Sequence, residues 1–258
     1  MASNIPATFA VNVQNLTVGY GSNVLMKDLN FTVNNGEIFV ILGGSGCGKS
    51  SLLKNLFGLY QPLSGDVLIE GQNITAAVGA QRQQIMASFG VMYQQGALFG
   101  SMNLLDNVTL FMQEYTQLTQ GEMDLLARCK LDLVGLLPYE SYMPSEISGG
   151  MQKRAAIARA MALDPMILFL DEPSAGLDPI TSADLDSTIL DLSKNLGITF
   201  VIVSHELASI YAIADKVIML DKAAQGIIAE GDPKVLRDTS TDPRVHQFFN
   251  RIMSKDAA

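Results

Sequence analysis

No stretch of this sequence approaches the roughly 18 uninterrupted apolar residues that a membrane-crossing helix needs, although 48% of its 258 residues are hydrophobic. The opening run Met1-Ala2-Ser3-Asn4-Ile5-Pro6 lacks the basic and apolar regions of a signal peptide. Cysteine is scarce. Of the two present, Cys47 falls in a glycine-rich loop and Cys129 in a predicted helix, so neither reads as half of a structural disulfide. Cys129 is expected to be a buried thiol. These absences together give the expectation of a cytosolic chain. Positive charge is also short: 17 Lys and Arg against 26 Asp and Glu leave a net charge of −9. That excludes broad attraction to nucleic acid, which needs clustered basic residues, and direct adhesion to an anionic lipid surface. Any membrane role is then expected to run through a protein partner. No internal repeat and no low-complexity segment occur.

What is present is a core of buried-type strands. The length suits one large α/β domain or two small ones. Strands are predicted over Phe9–Tyr20, Leu29–Val33 and Glu37–Leu42, the last continuously apolar as a strand buried on both faces should be. A glycine-rich loop follows, then a helix over Lys49–Gly58 and a further strand at Val67–Gly71. From Asp106 to Leu163 the pattern turns helical, with apolar spacings of three and four over Glu122–Leu133 and Gly149–Leu163. Strand patterns return at Met166–Leu170, Thr199–Ser204 and Lys216–Leu220, with a helix over Ile180–Lys194 completing a βαβ unit. The implied fold is α/β, a parallel core with an antiparallel sheet attached and an all-helical insert. After Gly231 the tail is polar, but Val245, Phe248, Phe249 and Ile252 place apolar residues in a short predicted helix that is expected to dock.

Three motifs carry chemistry. Gly43-Gly44-Ser45-Gly46-Cys47-Gly48-Lys49-Ser50 matches the phosphate-binding loop and stands in its required context, between a strand and a helix. Its glycines let successive N–H groups surround phosphate oxygens, and the helix N-terminus adds partial positive charge. Lys49 is expected to reach the β- and γ-phosphates and the Ser50 hydroxyl to bind Mg2+. Asp171 and Glu172 end an apolar strand, where ligands of open α/β sheets collect. Asp171 is assigned to Mg2+, through its water, and Glu172 to polarising the water that attacks the γ-phosphate. His205 follows four apolar residues of another core strand, and that placement makes it a functional candidate; His246, in the tail, reads as a surface residue. No guanine-reading Asn-Lys-x-Asp is present, so the base expected is adenine. Tyr20 offers an aromatic face for it, the alternative being an ordinary core or surface tyrosine. The third motif is Ile147-Ser148-Gly149-Gly150-Met151-Gln152, a small-residue turn opening a basic helix.

On these residues the chain resembles the nucleotide-binding subunits of ABC transporters, over residues 9 to 231. The resemblance implies a P-loop nucleotide-binding domain with a RecA-like parallel core, an antiparallel β subdomain, a helical subdomain over about 96–163, and a C-terminal extension over 232–258. It implies ATP and Mg2+ as ligands. Tyr20 matches the adenine-stacking aromatic, and Ser51 completes the run that contacts nucleotide. Gln94, in Met92-Tyr93-Gln94-Gln95, matches the glutamine that contacts Mg2+ and water and senses the permease. Ser148, Gly149 and Gly150 match the signature turn, which closes on ATP held by a second copy. Asp178, in Ser174-Ala175-Gly176-Leu177-Asp178, matches the loop that communicates between the two sites, and His205 the switch histidine at the γ-phosphate. The chain departs from the usual Leu-Ser-Gly-Gly-Gln at Ile147 and Met151, and Met151 offers no amide.

Finer runs are similar to the Mla/Mce-associated ATPases. They are Gln95-Gly96-Ala97-Leu98-Phe99, Asp106-Asn107-Val108, Lys153-Arg154, Asp178-Pro179-Ile180-Thr181 and Asp242-Pro243-Arg244-Val245-His246-Gln247-Phe248-Phe249. That resemblance implies a peripheral subunit on the cytoplasmic side of a bacterial inner membrane. It would serve a complex that moves phospholipid or other hydrophobic molecules between envelope layers. The implied partners are a second copy, permease subunits, an Mce-type lipid-binding subunit and a small accessory protein, with membrane contact only through the permease and no nucleic acid. In that family the extension reaches the partner ATPase, which makes Phe248 and Phe249 its expected anchors. Two other readings stay open: the ATPase of a small-solute importer, such as one for amino acids, and a soluble ABC ATPase of cofactor assembly.

Overall fold

The computed structural model describes residues 9–250. Ile252 and the Met1–Pro6 segment lie outside them. In chain order the strands and helices begin β1 Val11–Tyr20, β2 Asn23–Val33, β3 Ile38–Gly43, α1 Lys49–Leu56, β4 Ser64–Ile69 and β5 Gln72–Asn73. They continue as α2 Gly79–Ala87, β6 Phe89–Met92, α3 Leu104–Tyr115, α4 Gln120–Leu133, α5 Gly149–Ala160, β7 Ile167–Asp171 and α6 Pro179–Leu196. The chain then forms β8 Thr199–Val203, α7 Leu207–Ile213, β9 Lys216–Asp221, β10 Gly226–Gly231, α8 Pro233–Thr239 and α9 Pro243–Asn250. Short 3-10 turns occupy Leu137–Tyr139 and Pro144–Glu146. Two compact units result: one takes the chain up to Ala77 and again from Val201, the other is Val78–Phe200.

The first unit holds a four-stranded antiparallel sheet in the order β2-β1-β4-β5. β1 keeps one face buried only by breaking its alternation: Val11 and Val13 point inward, then Leu16 and Val18. The extra residue is absorbed by Asn15, which adopts φ 49 inside the register shift from Val13 to Leu16 against β2 and the shift from Gln14 to Thr17 against β4. Such a bulge lets a strand bend without turning its apolar set to solvent. β2 begins six residues earlier than the predicted strand. Asp28, at φ 53, interrupts its alternation, and no period-two pattern carries through Lys27-Asp28. The unit's parallel strands are β3 and β9, paired from Phe39↔Lys216 to Gly43↔Leu220, with β10 antiparallel on β9. All six residues of β3 are buried, as the continuous apolar run predicted.

The second unit contains the parallel pair β6 and β7, registered from Phe89↔Ile167 to Met92↔Leu170. Gly90 allows a close approach here, since a Cβ on it would lie 2.1 Å from the Ala160 carbonyl oxygen. The predicted helical stretch resolves into α3, α4 and α5. Each starts on a side-chain cap: Asn103 accepts from Asp106, Thr119 from Glu122 in a reciprocal capping box, and Ser148 from Met151. The expectation for Cys129 fails. α4 buries Met123, Ala127, Lys130 and Leu131, a face at helical spacing that leaves Cys129 turned outward and exposed. Among the described residues no helix is long and apolar enough to cross a membrane.

The tail is ordered and docked within its own unit. Asp232 caps α8. Val245 and Phe249 of α9 are buried, and the Phe249 ring lies 6.0 Å from that of Tyr211, whose hydroxyl donates to the Phe249 carbonyl at 3.1 Å. Arg244 donates to Asp221 at 2.7 Å and to Asp242, whose carboxyl it holds down at about 2. Phe248 is half-buried and His246 exposed.

Candidate functional site

The phosphate loop is built where β3 runs out of paired neighbours. Gly43 sits so close to β9 that a Cβ would lie 2.4 Å from the Leu220 carbonyl oxygen, and its φ is 148. Both facts demand glycine. Cys47 packs beneath the loop; burial pushes its thiol up, so it stays protonated at neutral pH and serves as packing rather than as a nucleophile. Gly48, at φ 102, caps α1, whose first turn carries no acidic residue. The Lys49 ammonium folds back over the loop and donates to the Gly43 and Gly44 carbonyls at 3.0 and 3.2 Å. Gly44 is informative for the opposite reason to Gly43. Nothing lies within 4 Å of a Cβ placed there, and its φ is outside the left-handed region. The chain's own packing gives no reason for glycine at this exposed position; close approach of a phosphate does.

Tyr20 ends β1 beside this loop, half exposed. Its hydroxyl shares a hydrogen bond with Ser51 Oγ at 2.9 Å, and Tyr60 meets it edge-on at 5.7 Å between ring centroids. Those two contacts anchor the ring at the start of α1, where Ser50 also lies. His205 is exposed at the carboxyl end of β8. The preceding Ser204 donates its N–H to the Ile41 carbonyl at 3.2 Å, which sets His205 at the sheet edge where β3 enters the loop.

In the second unit, register alone brings two predicted residues to one edge. Met92 pairs with Leu170, and two residues further along each strand stand Gln94 and Glu172. Asp171 and Glu172 are both buried, and Glu172 takes φ 49. A left-handed backbone costs a non-glycine residue roughly 1–2 kcal/mol, an expense concentrated at functional sites. Lys153, also buried, donates its ammonium to the Gln94 carbonyl. Burial lowers the Lys153 pKa, and the Glu172 carboxylate opposes that shift. Gln94, Lys153 and Glu172 thus form a group. The sequence reading gave Lys153 no role in it, although a lysine on the same helix face as buried Gly150 and Ile157 was a usable signal.

The signature turn divides between support and surface. Ser148 and Gly149 are exposed, and Gly150 is buried. A Cβ on Gly150 would lie 2.2 Å from Thr181 Cγ2 on α6, whereas one on Gly149 meets only Leu177 at 3.8 Å. Gly150 is therefore explained by the chain's own packing and Gly149 is not. Gln152, one residue beyond Met151, holds the turn by donating to the Pro144 and Ile147 carbonyls at 2.9 and 3.3 Å. Asp178 is the N-cap of α6, accepting from the N–H groups of Ile180 and Thr181 and from the Thr181 hydroxyl. The hydroxyl bond leads in holding its pKa down. Its carboxylate is committed to that cap.

The residues assigned to Mg2+, namely Ser50, Gln94 and Asp171, offer only oxygen donors, the set a hard cation takes. No cluster of three or more His, Cys, Asp or Glu side chains forms among the described residues.

The family model described as ABC transporter matches residues 26–175. The chain is 41% identical over 246 residues to the "Probable ribonucleotide transport ATP-binding protein mkl" of Mycobacterium leprae, covering 95% of this chain and 70% of that one. It is 38% identical over 242 residues to the "Intermembrane phospholipid transport system ATP-binding protein MlaF" of Escherichia coli strain K12, covering 94% and 89%. Two solved structures are similar. One is the dimeric post-hydrolysis ATP-binding cassette MJ0796 bound to ADP and Pi, with TM-score 0.76, 27% identity, and 86% of this chain and 98% of that one covered. The other is cbiO1 from Clostridium perfringens, part of the transporter complex cbiONQ, with TM-score 0.81, 26% identity, and 95% and 96% covered.

Proposed function

The chain belongs to the ABC transporter ATP-binding family, and from that premise we propose that it drives a bacterial inner-membrane transporter moving phospholipid or other hydrophobic molecules across the envelope. Two copies close on two ATP molecules, each held between one copy's phosphate loop and the other's Ser148-Gly149-Gly150. Residues Gly43 to Ser51 and Lys49 in particular bind the phosphates, and Tyr20 stacks on adenine. Glu172 accepts the proton of the attacking water as its oxygen bonds to the γ-phosphorus and the bond to the β-phosphate oxygen breaks. Gln94 orients that water, His205 contacts the γ-phosphate, and Asp178 carries the link between sites by fixing the start of α6. Ser50, Asp171 and Gln94 would hold Mg2+, which when bound neutralises charge on the β- and γ-phosphates.

The observation that carries the closing dimer is Gly149, an exposed glycine with nothing in its own chain to require it. A surface that must admit a phosphate from a second copy supplies the requirement. ATP contacts made only in the closed state shift the population toward closure, and loss of the γ-phosphate reopens it. The phospholipid cargo is supported by the relative named for phospholipid transport, since this chain spans 89% of it, against 70% of the relative named for ribonucleotide transport. Cargo contacts belong to the partners: permease subunits and an Mce-type lipid-binding subunit, with this chain peripheral on the cytoplasmic face. The C-terminal extension, braced in its own unit through Val245 and Phe249, presents Phe248 toward the partner ATPase.

The test is to purify a tagged Glu172→Gln chain from solubilised membranes of its own host in Mg-ATP. A permease and an Mce-type subunit should co-purify, with less of both for a chain ending at Gly231. A solute permease would replace the phospholipid reading by the small-solute one. No membrane partner would leave a soluble ABC ATPase, and unchanged assembly after truncation would reject the role of the tail.

A further inference from the structure

The segment that carries Gln94 is bent and fastened at four points, all within the second unit. Gly96 has φ 74 and Ala97 has φ 54, and the left-handed region is unfavourable for alanine, so the bend has to be held. Asn107, buried in α3, accepts from the Phe99 N–H at 2.7 Å and donates to the carbonyls of Phe99 and Met102 at 3.1 and 3.0 Å. α5 supplies the other two fastenings with cations: Lys153 donates to the Gln94 carbonyl and Arg159 to the Ala97 carbonyl. The Arg159 guanidinium carbon also lies 5.0 Å from the ring centroids of both Phe99 and Phe111.

Arg159 is poorly chosen if its task is stability. Burial lowers its pKa, with only Tyr93 opposing the shift. Its Nε is buried without a hydrogen-bond partner, and no carboxylate stands among the groups that shift its pKa. Arg159 is half-buried; a charge drawn partly out of water without an opposite charge is costly, and an apolar side chain of similar size would serve packing better. What a guanidinium alone combines is a planar cation for aromatic faces and a directed donor for a carbonyl. α5 is the helix that opens with Ser148, Gly149 and Gly150. We propose that Arg159, seconded by Lys153, is a positioning residue that fastens the Gln94 segment to α5, so that Gln94 and the signature turn move as one body. The proposal rests on the reading of Gln94 as a residue of hydrolysis.

The experiment compares full-length Arg159→Gln, Arg159→Lys and Gln94→Ala chains in three measurements: ATP turnover, binding of a fluorescent ATP analogue, and amide hydrogen exchange. Arg159→Gln should lower kcat roughly 10- to 100-fold, the order of effect of a misplaced group, with KM and analogue affinity unchanged. Exchange should rise in residues 93–99 but not along α5, and Arg159→Lys, which keeps the donor, should recover part of the loss. Normal turnover by Arg159→Gln beside an impaired Gln94→Ala chain would overturn the fastening. So would a rise in exchange spread over α3, α4 and α5 with a fall in melting temperature, which is the signature of packing alone. Normal turnover by Gln94→Ala would instead overturn the reading on which the proposal rests.

Discussion

Replacing Glu172 by glutamine should leave ATP binding intact and lower kcat by about 10²- to 10⁴-fold, the range for loss of a general base. Glutamine keeps the volume and the shape of the side chain, so the buried site at the end of β7 stays packed and the left-handed backbone at φ 49 keeps its supports. What is lost is the anionic oxygen that takes the proton of the attacking water. Lys153 donates to the Gln94 carbonyl beside it, and burial lowers the Lys153 pKa against the opposing pull of the Glu172 charge. Because closure depends on ATP and opening on its cleavage, the variant should accumulate as closed dimers in Mg-ATP, resolved from the single chain by size-exclusion with light scattering. Near-normal hydrolysis would remove Glu172 from its assigned role.

The second large effect separates two adjacent glycines. Gly149→Ala should fold as the unsubstituted chain does, because its new methyl group meets only Leu177 at 3.8 Å. It should bind ATP at its own phosphate loop normally and yet lose about 10²-fold in turnover, the scale of an ångström-size misplacement at a reacting centre. Gly150→Ala should show the reverse emphasis. Its methyl would lie 2.2 Å from Thr181 Cγ2, and Thr181 is tied to Asp178 by hydrogen bonds from both its N–H and its hydroxyl. Overpacking of that kind costs typically 1–3 kcal/mol, visible as a lower denaturation midpoint. Equal stability losses in the two variants, with turnover falling only in proportion, would mean that the turn serves folding alone.

The parts of the site that were readable in advance are those whose chemistry is written contiguously. The run Gly43 to Ser50 specifies strand end, loop and helix start in eight consecutive residues, and β3, β7 and β8 are announced by apolar runs whose every residue is buried. Asp171 and Glu172 could be placed at a strand's carboxyl end because an apolar run leads into them, whereas Gln94 was legible only through the resemblance. Lys153 and Arg159 were not legible as partners of the Gln94 segment. Their contacts span 59 and 62 residues, and helical periodicity says which face is inward but not which carbonyl waits there. Cys129 was misplaced because its neighbours on both sides are mixed, and only the observed face of Met123, Ala127 and Lys130 turns it outward. β6 and β10 were missed for want of pattern: β6 is four residues long, and β10 shows no alternation, its first four residues all being half-buried.

The central claim is that each ATP is completed by the signature turn of a second copy, and mixing two inactive variants tests it. Lys49→Ala lacks a working phosphate loop and keeps its turn; Gly149→Ala has the converse defect. If the turn acts across the dimer, a mixed dimer contains one site made only of unaltered parts. Random pairing would then restore about a quarter of the activity of unsubstituted dimers from two preparations that are each nearly inactive. If the loop and the turn serve the same nucleotide within one chain, every site in the mixture is broken, and activity no higher than that of either variant alone would contradict the account.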